Sequence, residues 1–248
     1  MNIIGIIPAR FASTRFPGKA LTPIHGKPMI EWVYKQALKA NSLNKVYIAT
    51  DDARIVKAVE KFGGKVLLTS TKHRSGTERC NEAAEKLQKQ GIEMDVVINI
   101  QGDEPLINPQ QIDILVSLFS VNKTQIATLI KKITRKEELF DPNVVKAIVG
   151  PDGKAIYFSR QSIPFLRDTE KEQWIGAHSF YKHIGIYGYT TKVLSEIVML
   201  KESSLEKAES LEQLRWLENG FDIFAKETEF ESFGIDTPED LLKIKGKI

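Results

Sequence analysis

Residues 3–19 read IIGIIPARFASTRFPGK, an unbroken apolar run followed by a loop of small, proline and basic residues. An apolar run of this length is typical of a strand that is buried on both faces in a parallel sheet. The loop after it exceeds the usual length of about 2–6 residues between a strand and a helix. We therefore expect this loop to have a function of its own.

Short apolar runs alternate with segments of helical periodicity through the rest of the first half. The later predicted strands are 46–49, 66–68 and 96–100, and the predicted helices are 29–40, 53–62, 75–90 and 108–119. Residues 75–78 match a capping box, and Asn108 with Pro109 is a typical helix start. This alternation predicts an α/β fold, a mostly parallel twisted sheet with helices on both faces. Ligands of such sheets bind beyond the carboxyl ends of the strands.

The second half is richer in β-strand signals. The predicted strands are 126–133, 144–149, 155–159 and 184–189, with a hairpin turn at 151–153 and a periodic helix at 206–218. Pro238 should open the last helix with Thr237 as its N-cap, and the polar residues 167–179 are predicted to be a mobile loop. The chain is thus expected to be a single domain, 1–248, with a β-rich insertion within about 125–190.

Composition excludes several classes of protein. The 35 basic and 32 acidic residues leave a net charge of +3, without the dense basic character of duplex nucleic-acid binders. The single cysteine, Cys80, rules out an internal disulfide, and four scattered histidines argue against a histidine metal cluster. The start has no basic segment typical of signal peptides, and no apolar stretch approaches the roughly 20 residues that span a bilayer. We expect a soluble cytoplasmic protein that binds neither nucleic acid nor membrane.

The loop after the first strand is a candidate phosphate-binding loop. It carries Arg10, Arg15 and Lys19 among small residues that let backbone N–H groups approach an oxyanion. A triphosphate is a suitable ligand for such a loop. The spacing matches neither the Walker A motif nor the dinucleotide-binding fingerprint. A solvated basic loop without a ligand is the alternative.

Two carboxylates are candidate metal ligands. Asp103 follows the buried strand 96–100, and Asp236 directly precedes the last predicted helix. If both converge at the sheet edge, they suit Mg²⁺, which prefers one or two carboxylates together with phosphate oxygens and water. The alternatives are a turn-forming role for Asp103 and helix capping for Asp236.

Short motifs spread in order over nearly the whole chain carry a family resemblance. They are PARFASTRFPGK (8–19), GKPMI (26–30), ATDD (49–52), HRSGTER (73–79), QGDEP (101–105), YFSR (157–160), HIGIYGY (183–189), LEQLR (211–215) and IDTPED (235–240). In this order they resemble the nucleotidyltransferases that activate sugars, and most of all the 3-deoxy-manno-octulosonate (Kdo) cytidylyltransferase family.

The resemblance implies a fold of the nucleotide-diphospho-sugar transferase type and a specific reaction. The expected reaction transfers CMP from CTP to Kdo, an acidic eight-carbon sugar of lipopolysaccharide biosynthesis, and releases pyrophosphate. It also implies Mg²⁺ bound by Asp103 and Asp236, and a homodimer formed through the β-rich segment. An in-line attack of a sugar hydroxyl on the α-phosphorus depends mainly on positioning and on neutralisation of negative charge.

The resemblance also assigns candidate site residues. Those implied for the nucleotide are Pro8, Ala9, Arg10, Ser13, Lys19, Ser75, Gly76 and Gln101, of which Arg10 and Lys19, together with Asp103, are the candidate catalytic residues. Those implied for the sugar are Arg160, His183, Tyr187, Glu212 and Gln213. Arg160 would bind the sugar carboxylate. Alternatives remain for Ser75 as a helix cap, His183 as a core histidine and Glu212 as a solvated helix residue.

Two rival functions stay open from the sequence. The acceptor could be a related acidic sugar, either sialic acid or an amino-substituted octulosonate. The chain could instead be a nucleotide-binding module without catalysis, although such a module would not need the carboxylate pair. Neither Arg74 nor the segment 167–179 has an assigned role at this stage.

Overall fold

The computed structural model of the protein describes residues 1–12, 16–120 and 123–244, which form one nine-stranded sheet and a small hairpin. The strands are β1 (Ile3–Ala9), β2 (Pro23–Ile24), β3 (Lys27–Pro28), β4 (Lys45–Thr50), β5 (Val66–Leu68), β6 (Val96–Asn99), β7 (Ile126–Lys132), β8 (Lys146–Val149), β9 (Ala155–Ser159), β10 (Tyr181–Thr190) and β11 (Ile223–Glu227). The helices are α1 (Met29–Ala37), α2 (Ala53–Lys61), α3 (Gly76–Lys89), α4 (Pro109–Ser117), α5 (Lys136–Phe140), α6 (Trp174–Ala177), α7 (Thr191–Ile197), α8 (Ser204–Glu209), α9 (Glu212–Glu218) and α10 (Pro238–Ile244). No helix within these ranges is long and apolar enough to cross a bilayer.

The main path of the sheet has the strand order β11-β7-β10-β6-β1-β4-β5. β1 pairs in parallel with β4 and β6, and β4 pairs in parallel with β5. β10 is antiparallel to both β6 and β7, and β11 is parallel to β7. The sheet is therefore parallel in its amino-terminal half and mixed beyond β6.

Both faces of the sheet are covered by helices. Ile4 and Ile6 of β1 belong to the core on one face, which includes apolar side chains of α3, α7 and α9. Ile3 and Ile7 point to the other face, where the core includes side chains of α1, α2 and α4. This alternation along one strand explains why β1 reads as a continuous apolar run. The predicted α/β fold is confirmed.

The predicted β-rich segment continues the central sheet. β7 and β10 lie on its main path, and β8 and β9 form a hairpin attached to β10. The predicted turn at 151–153 closes that hairpin, with Gly153 at φ 83°. β11 was not predicted from the sequence.

Two predicted segments differ from the structure. The helix expected at 206–218 is divided into α8 and α9, because Ser210 has a left-handed φ of 52° that ends α8. The expected mobile loop at 167–179 contains a 3₁₀ turn and α6, and Trp174 is buried there against Phe180. The prediction failed because a single tryptophan gave no helical periodicity to detect.

Helix starts also differ in detail. Ser75 caps α3 by accepting a hydrogen bond from Glu78 N, but the Glu78 carboxylate accepts from Arg74 N and does not close the predicted box with Ser75. Thr237 precedes α10 as expected, yet its hydroxyl donates to the Asp240 carboxylate. In both α3 and α10, an acidic side chain in the first turn therefore accepts hydrogen bonds from backbone N–H groups that precede the helix.

Candidate active site

A cleft of about 310 Å³ lies where loops at the carboxyl ends of β1 and β6 meet the amino end of α3. This volume falls at the lower end of the range for small-molecule sites, roughly 300–1,000 Å³. Its lining includes the predicted residues Pro8, Ala9, Arg10, Lys19, Ser75, Gly76, Gln101, Asp103 and Asp236. Ser13, the remaining residue predicted for the nucleotide, lies outside the described residues.

Two glycines allow the loops to close onto the end of β1. A Cβ atom on Gly76 would lie 3.2 Å from Pro8 Cγ, and one on Gly102 would lie 2.6 Å from the carbonyl oxygen of Pro8. The second distance is below any ordinary contact, so a side chain at 102 would force the loop away from β1. The close approach of Gly102 to Pro8 therefore determines the position of residues 101–103.

Basic side chains dominate the cleft. Arg10, Lys19, His73, Arg74 and Arg79 line it, against the carboxylates Asp103 and Asp236. Neither the Arg10 nor the Arg74 guanidinium is paired with a carboxylate among the residues that the structure describes. The amino end of α3 adds backbone N–H donors and a partial positive charge. The cleft is therefore suited to an anionic ligand.

Lys19 joins the two predicted metal ligands. Its Nζ lies 2.6 Å from Asp103 Oδ2 and 3.3 Å from Asp236 Oδ1. The backbone connects the same segments, because Ile235 N donates to the carbonyl oxygen of Asp103 at 2.9 Å. The structure thus brings together two carboxylates that are far apart in sequence.

The surroundings of Asp236 bear on its capping alternative. Asp240 Oδ2 accepts from the N–H groups of both Asp236 and Thr237, at 3.2 and 3.0 Å. Those bonds hold the backbone before α10, while the Asp236 carboxylate contacts Lys19 in the cleft. Asp240, in the first turn of α10, thus reaches back to the residues before the helix, as the acidic residue of a capping box does.

None of the residues predicted to bind a sugar lines this cleft, but Glu212 and strand β10 lie beside segments that do. The Glu212 carboxylate accepts from Thr77 Oγ1 at 2.8 Å, one residue past Gly76. A Cβ atom on Gly185 would lie 3.9 Å from Gln101 Cγ, so β10 passes beside the loop after β6. Burial raises the pKa of Glu212, against the opposing effect of hydrogen bonds from Thr77 and Ser75. Glu212 is therefore half-buried and hydrogen-bonded, not a solvated helix residue, and Gln213 beside it is buried.

His183 and Tyr187 lie together on β10, with their ring centroids 5.2 Å apart across a β-bulge. The Thr128 hydroxyl donates to Ile186 O at 2.8 Å and lies 2.9 Å from His183 Nε2. A neutral imidazole carries one N–H and one acceptor nitrogen, and Nδ1 is the ring nitrogen that this contact leaves for a ligand. Burial lowers the pKa of His183 to about 4, so the ring is neutral at neutral pH.

Arg160 holds the elbow between α8 and α9. Its guanidinium donates to the carbonyl oxygens of Glu209 at 2.7 Å, Pro142 at 3.1 Å and Ser210 at 3.5 Å. The Glu209 carboxylate in turn accepts from Arg160 N and from Ser159 Oγ. These bonds fix the start of α9, where Glu212 and Gln213 lie.

A sequence model of cytidylyltransferases matches residues 4–230 of the chain. The chain belongs to the cytidylyltransferase family. It is 52% identical to the 3-deoxy-manno-octulosonate cytidylyltransferases of Parabacteroides distasonis and Cytophaga hutchinsonii, in each case over 98% of this chain and 96% of the relative. The solved structure of a CMP:2-keto-3-deoxy-manno-octonic acid synthetase complexed with CTP superposes with a TM-score of 0.90 at 39% identity, covering 100% of this chain and 98% of the other. The family resemblance carried by the sequence motifs is confirmed.

In this member of the cytidylyltransferase family, three basic residues that line the cleft had no predicted role: His73, Arg74 and Arg79. Arg79 is 4% exposed and bonds Asp51 Oδ2 at 2.8 Å and Thr69 Oγ1 at 2.6 Å. The sequence contained a signal that could have identified Arg79 as a cleft residue. Arg79 lies four residues after Ser75, so both side chains lie on the same face of α3.

The loop 70–75, which carries His73 and Arg74 into the cleft, is held by carboxylates of α3. Glu82 accepts from Ser70 N at 2.7 Å and bonds His73 Nε2. Burial raises the pKa of Glu82, but hydrogen bonds from Lys86, Ser70 N and His73 outweigh it and leave the pKa at about 2. The ionised carboxylate fixes His73 at the edge of the cleft.

Gly102→Ala should lower the turnover number of the cytidylyltransferase reaction by about 30-fold, because the new Cβ atom would displace the loop that carries Asp103. Steady-state kinetics checks this result. Gly176→Ala is the matched control, since Gly176 has no heavy atom within 4 Å of its Cβ position. Equal activity of the two variants would show that the close contact at Gly102 does not position the site.

Proposed function

We propose that this chain transfers CMP from CTP to 3-deoxy-D-manno-octulosonate, with release of pyrophosphate, for lipopolysaccharide biosynthesis. The observation that carries the proposal is the basic cleft with the Asp103–Lys19–Asp236 cluster in its lining. It combines groups that hold polyphosphate with a carboxylate pair that suits a divalent cation. Relatives that match nearly the full chain at 52% identity and carry this enzyme name support the choice of sugar.

The nucleotide is proposed to occupy this cleft. The exposed guanidinium groups of Arg10 and Arg74 face it and would bind the triphosphate by charge-assisted hydrogen bonds. The amino end of α3 and the Gln101 amide, both in the lining, would hydrogen-bond the base or its phosphates. With these groups binding the nucleotide, Lys19 remains next to the carboxylates of Asp103 and Asp236.

Asp103 and Asp236 fit a magnesium ion. A lysine ammonium already lies between their carboxylates, so the pair accepts positive charge at this position. Among the described residues no group of three or more histidine, cysteine or acidic side chains forms a complete metal cage. Mg²⁺ does not need one, because substrate phosphates and water complete its shell. When bound, it would neutralise phosphate charge and acidify the attacking hydroxyl.

The sugar is proposed to lie against β10 and the start of α9. Neutral His183 offers its Nδ1 for a hydrogen bond, and Tyr187, Glu212 and Gln213 supply further polar atoms. Arg160 supports this surface through the α8–α9 elbow, and its charge would attract the sugar carboxylate.

The chain's own residues would orient the reactants for in-line displacement. The sugar hydroxyl oxygen forms a bond to the α-phosphorus of CTP, the bond to the pyrophosphate oxygen breaks, and the hydroxyl proton is lost to solvent. Arg10 and the amino end of α3 would stabilise the negative charge on the phosphates, and β10 would fix the acceptor.

A homodimer and a cytoplasmic location are part of the proposal. Ile156 and Phe165 expose 62% and 73% of their surface on the β-rich segment, as side chains at a subunit interface would in an isolated chain. This exposure supports assembly through that segment.

Release of pyrophosphate from a panel of nucleoside triphosphates and acidic sugars tests the function. We expect CTP with Kdo to give the highest kcat/KM, at least about tenfold above 8-amino-Kdo and sialic acid. A preference for sialic acid would contradict the proposed acceptor. If the protein binds CTP but releases no pyrophosphate with any of the sugars, the non-catalytic alternative would be favoured.

A further inference from the structure

The position of Lys19 has a consequence for the order in which ligands bind. Lys19 begins a 3₁₀ turn directly after Gly18, which has a left-handed φ of 73° and donates to Phe11 O at 2.9 Å. The backbone at Lys19 is held as well, by donation to Phe16 O at 3.2 Å. The side chain is therefore directed from a fixed base, and it is only 18% exposed.

The Lys19 ammonium uses its donors on the acidic cluster. It donates to Asp103 Oδ2 at 2.6 Å, to Ile235 O at 3.0 Å and to Asp236 Oδ1 at 3.3 Å. An ammonium group has three hydrogens, so these three acceptors saturate it. In this arrangement Lys19 has no donor left for a phosphate.

A divalent cation bound by the same two carboxylates would have to replace the ammonium. Both cations need oxygens of Asp103 and Asp236, and two positive charges within a few ångströms repel each other strongly at a partly buried site. The four-carbon stem of lysine allows Nζ to move while the backbone stays in place. Triphosphate oxygens in the cleft would provide the ammonium with new acceptors.

We propose that Lys19 keeps divalent cations off the Asp103–Asp236 pair until a nucleoside triphosphate binds. In the absence of a metal ion, the ammonium stabilises the two carboxylates by occupying the space between them. The triphosphate then attracts Lys19, and the carboxylates accept the metal that enters with the nucleotide. The inference rests on the proposed metal site and adds an order of binding to it.

Titration of the nucleotide-free protein with Mn²⁺, followed by the electron paramagnetic resonance signal of the free ion, tests this inference. Lys19→Met should bind Mn²⁺ about tenfold more tightly than the wild type, because the competing cation is removed. Lys19→Arg keeps the charge and should bind like the wild type. Adding Asp103→Asn to Lys19→Met should cancel the gain.

Arg74→Met is the matched control, since it removes one positive charge from the same cleft without disturbing an ion pair of the described residues. It should change Mn²⁺ affinity by less than about threefold. Unchanged affinity in Lys19→Met, or an equal gain in Arg74→Met, overturns the inference. Lys19→Gln replaces Lys19→Met if thermal melting shows that the latter is unfolded. Because no substrate is present, the titration is independent of the pyrophosphate assay that tests the function.

Discussion

Asp103→Asn should lower the rate of CMP transfer by about 10³-fold or more, with the fold intact. Asparagine has the same shape and still offers an oxygen to Lys19 Nζ, which lies 2.6 Å from the carboxylate. It lacks the negative charge that a divalent cation requires of this ligand. A lower rate of CMP transfer would therefore reflect the missing negative charge at position 103 and not a change in side-chain packing.

Pyrophosphate release at saturating CTP and Kdo measures this effect. Asp222→Asn is the control, because Asp222 forms an exposed ion pair with Lys154 far from the cleft lining. Circular dichroism confirms that both variants are folded. Activity of Asp103→Asn within about tenfold of the control would refute the assignment of Asp103 as a metal ligand.

Arg79→Met should lower the free energy of unfolding by about 3 kcal/mol. Arg79 is 4% exposed, and its removal leaves the Asp51 carboxylate and the Thr69 hydroxyl without their partner. A charge left unpaired in a buried site costs more than the pair contributes when intact. Three segments lose their connection together: the ends of β4 and β5 and the first turn of α3.

Urea denaturation followed by tryptophan fluorescence measures the loss. Arg135→Met is the matched control, because the Arg135 side chain is 67% exposed and its partner Glu138 keeps Lys182 as a second cation. The urea midpoint of that variant should stay near the wild-type value. Equal midpoints for the two variants would show that the Arg79 network does not stabilise the fold.

Much of the fold could be predicted because β1, β4 and β6 are buried on both faces and carry continuous apolar runs. β11 was missed, since its pairing with β7 depends on partners about 100 residues away and its short run has no clear period. The break at Ser210 was missed for a related reason. Arg160 binds the carbonyl oxygens at this break, and that contact is invisible in helical periodicity.

The convergence of Pro8 and Asp103 in one cleft could be predicted, because parallel strands end at the same sheet edge. The ion pairs between side chains were harder to foresee. Nothing in the spacing of Lys19 indicated that its ammonium contacts both carboxylates, and nothing in the HRSGTER motif fixed Arg79 on Asp51. Such contacts depend on rotamers and on backbone positions that only the folded chain defines.

³¹P nuclear magnetic resonance of the wild-type protein with CTP, Kdo and Mg²⁺ tests the central claim most directly. The account predicts that the CTP signals are replaced by one phosphodiester signal and by pyrophosphate in equal molar amounts. This change should require Kdo, since Kdo supplies the attacking hydroxyl. Unchanged CTP, or pyrophosphate formed at the same rate without the sugar, would contradict the proposed reaction.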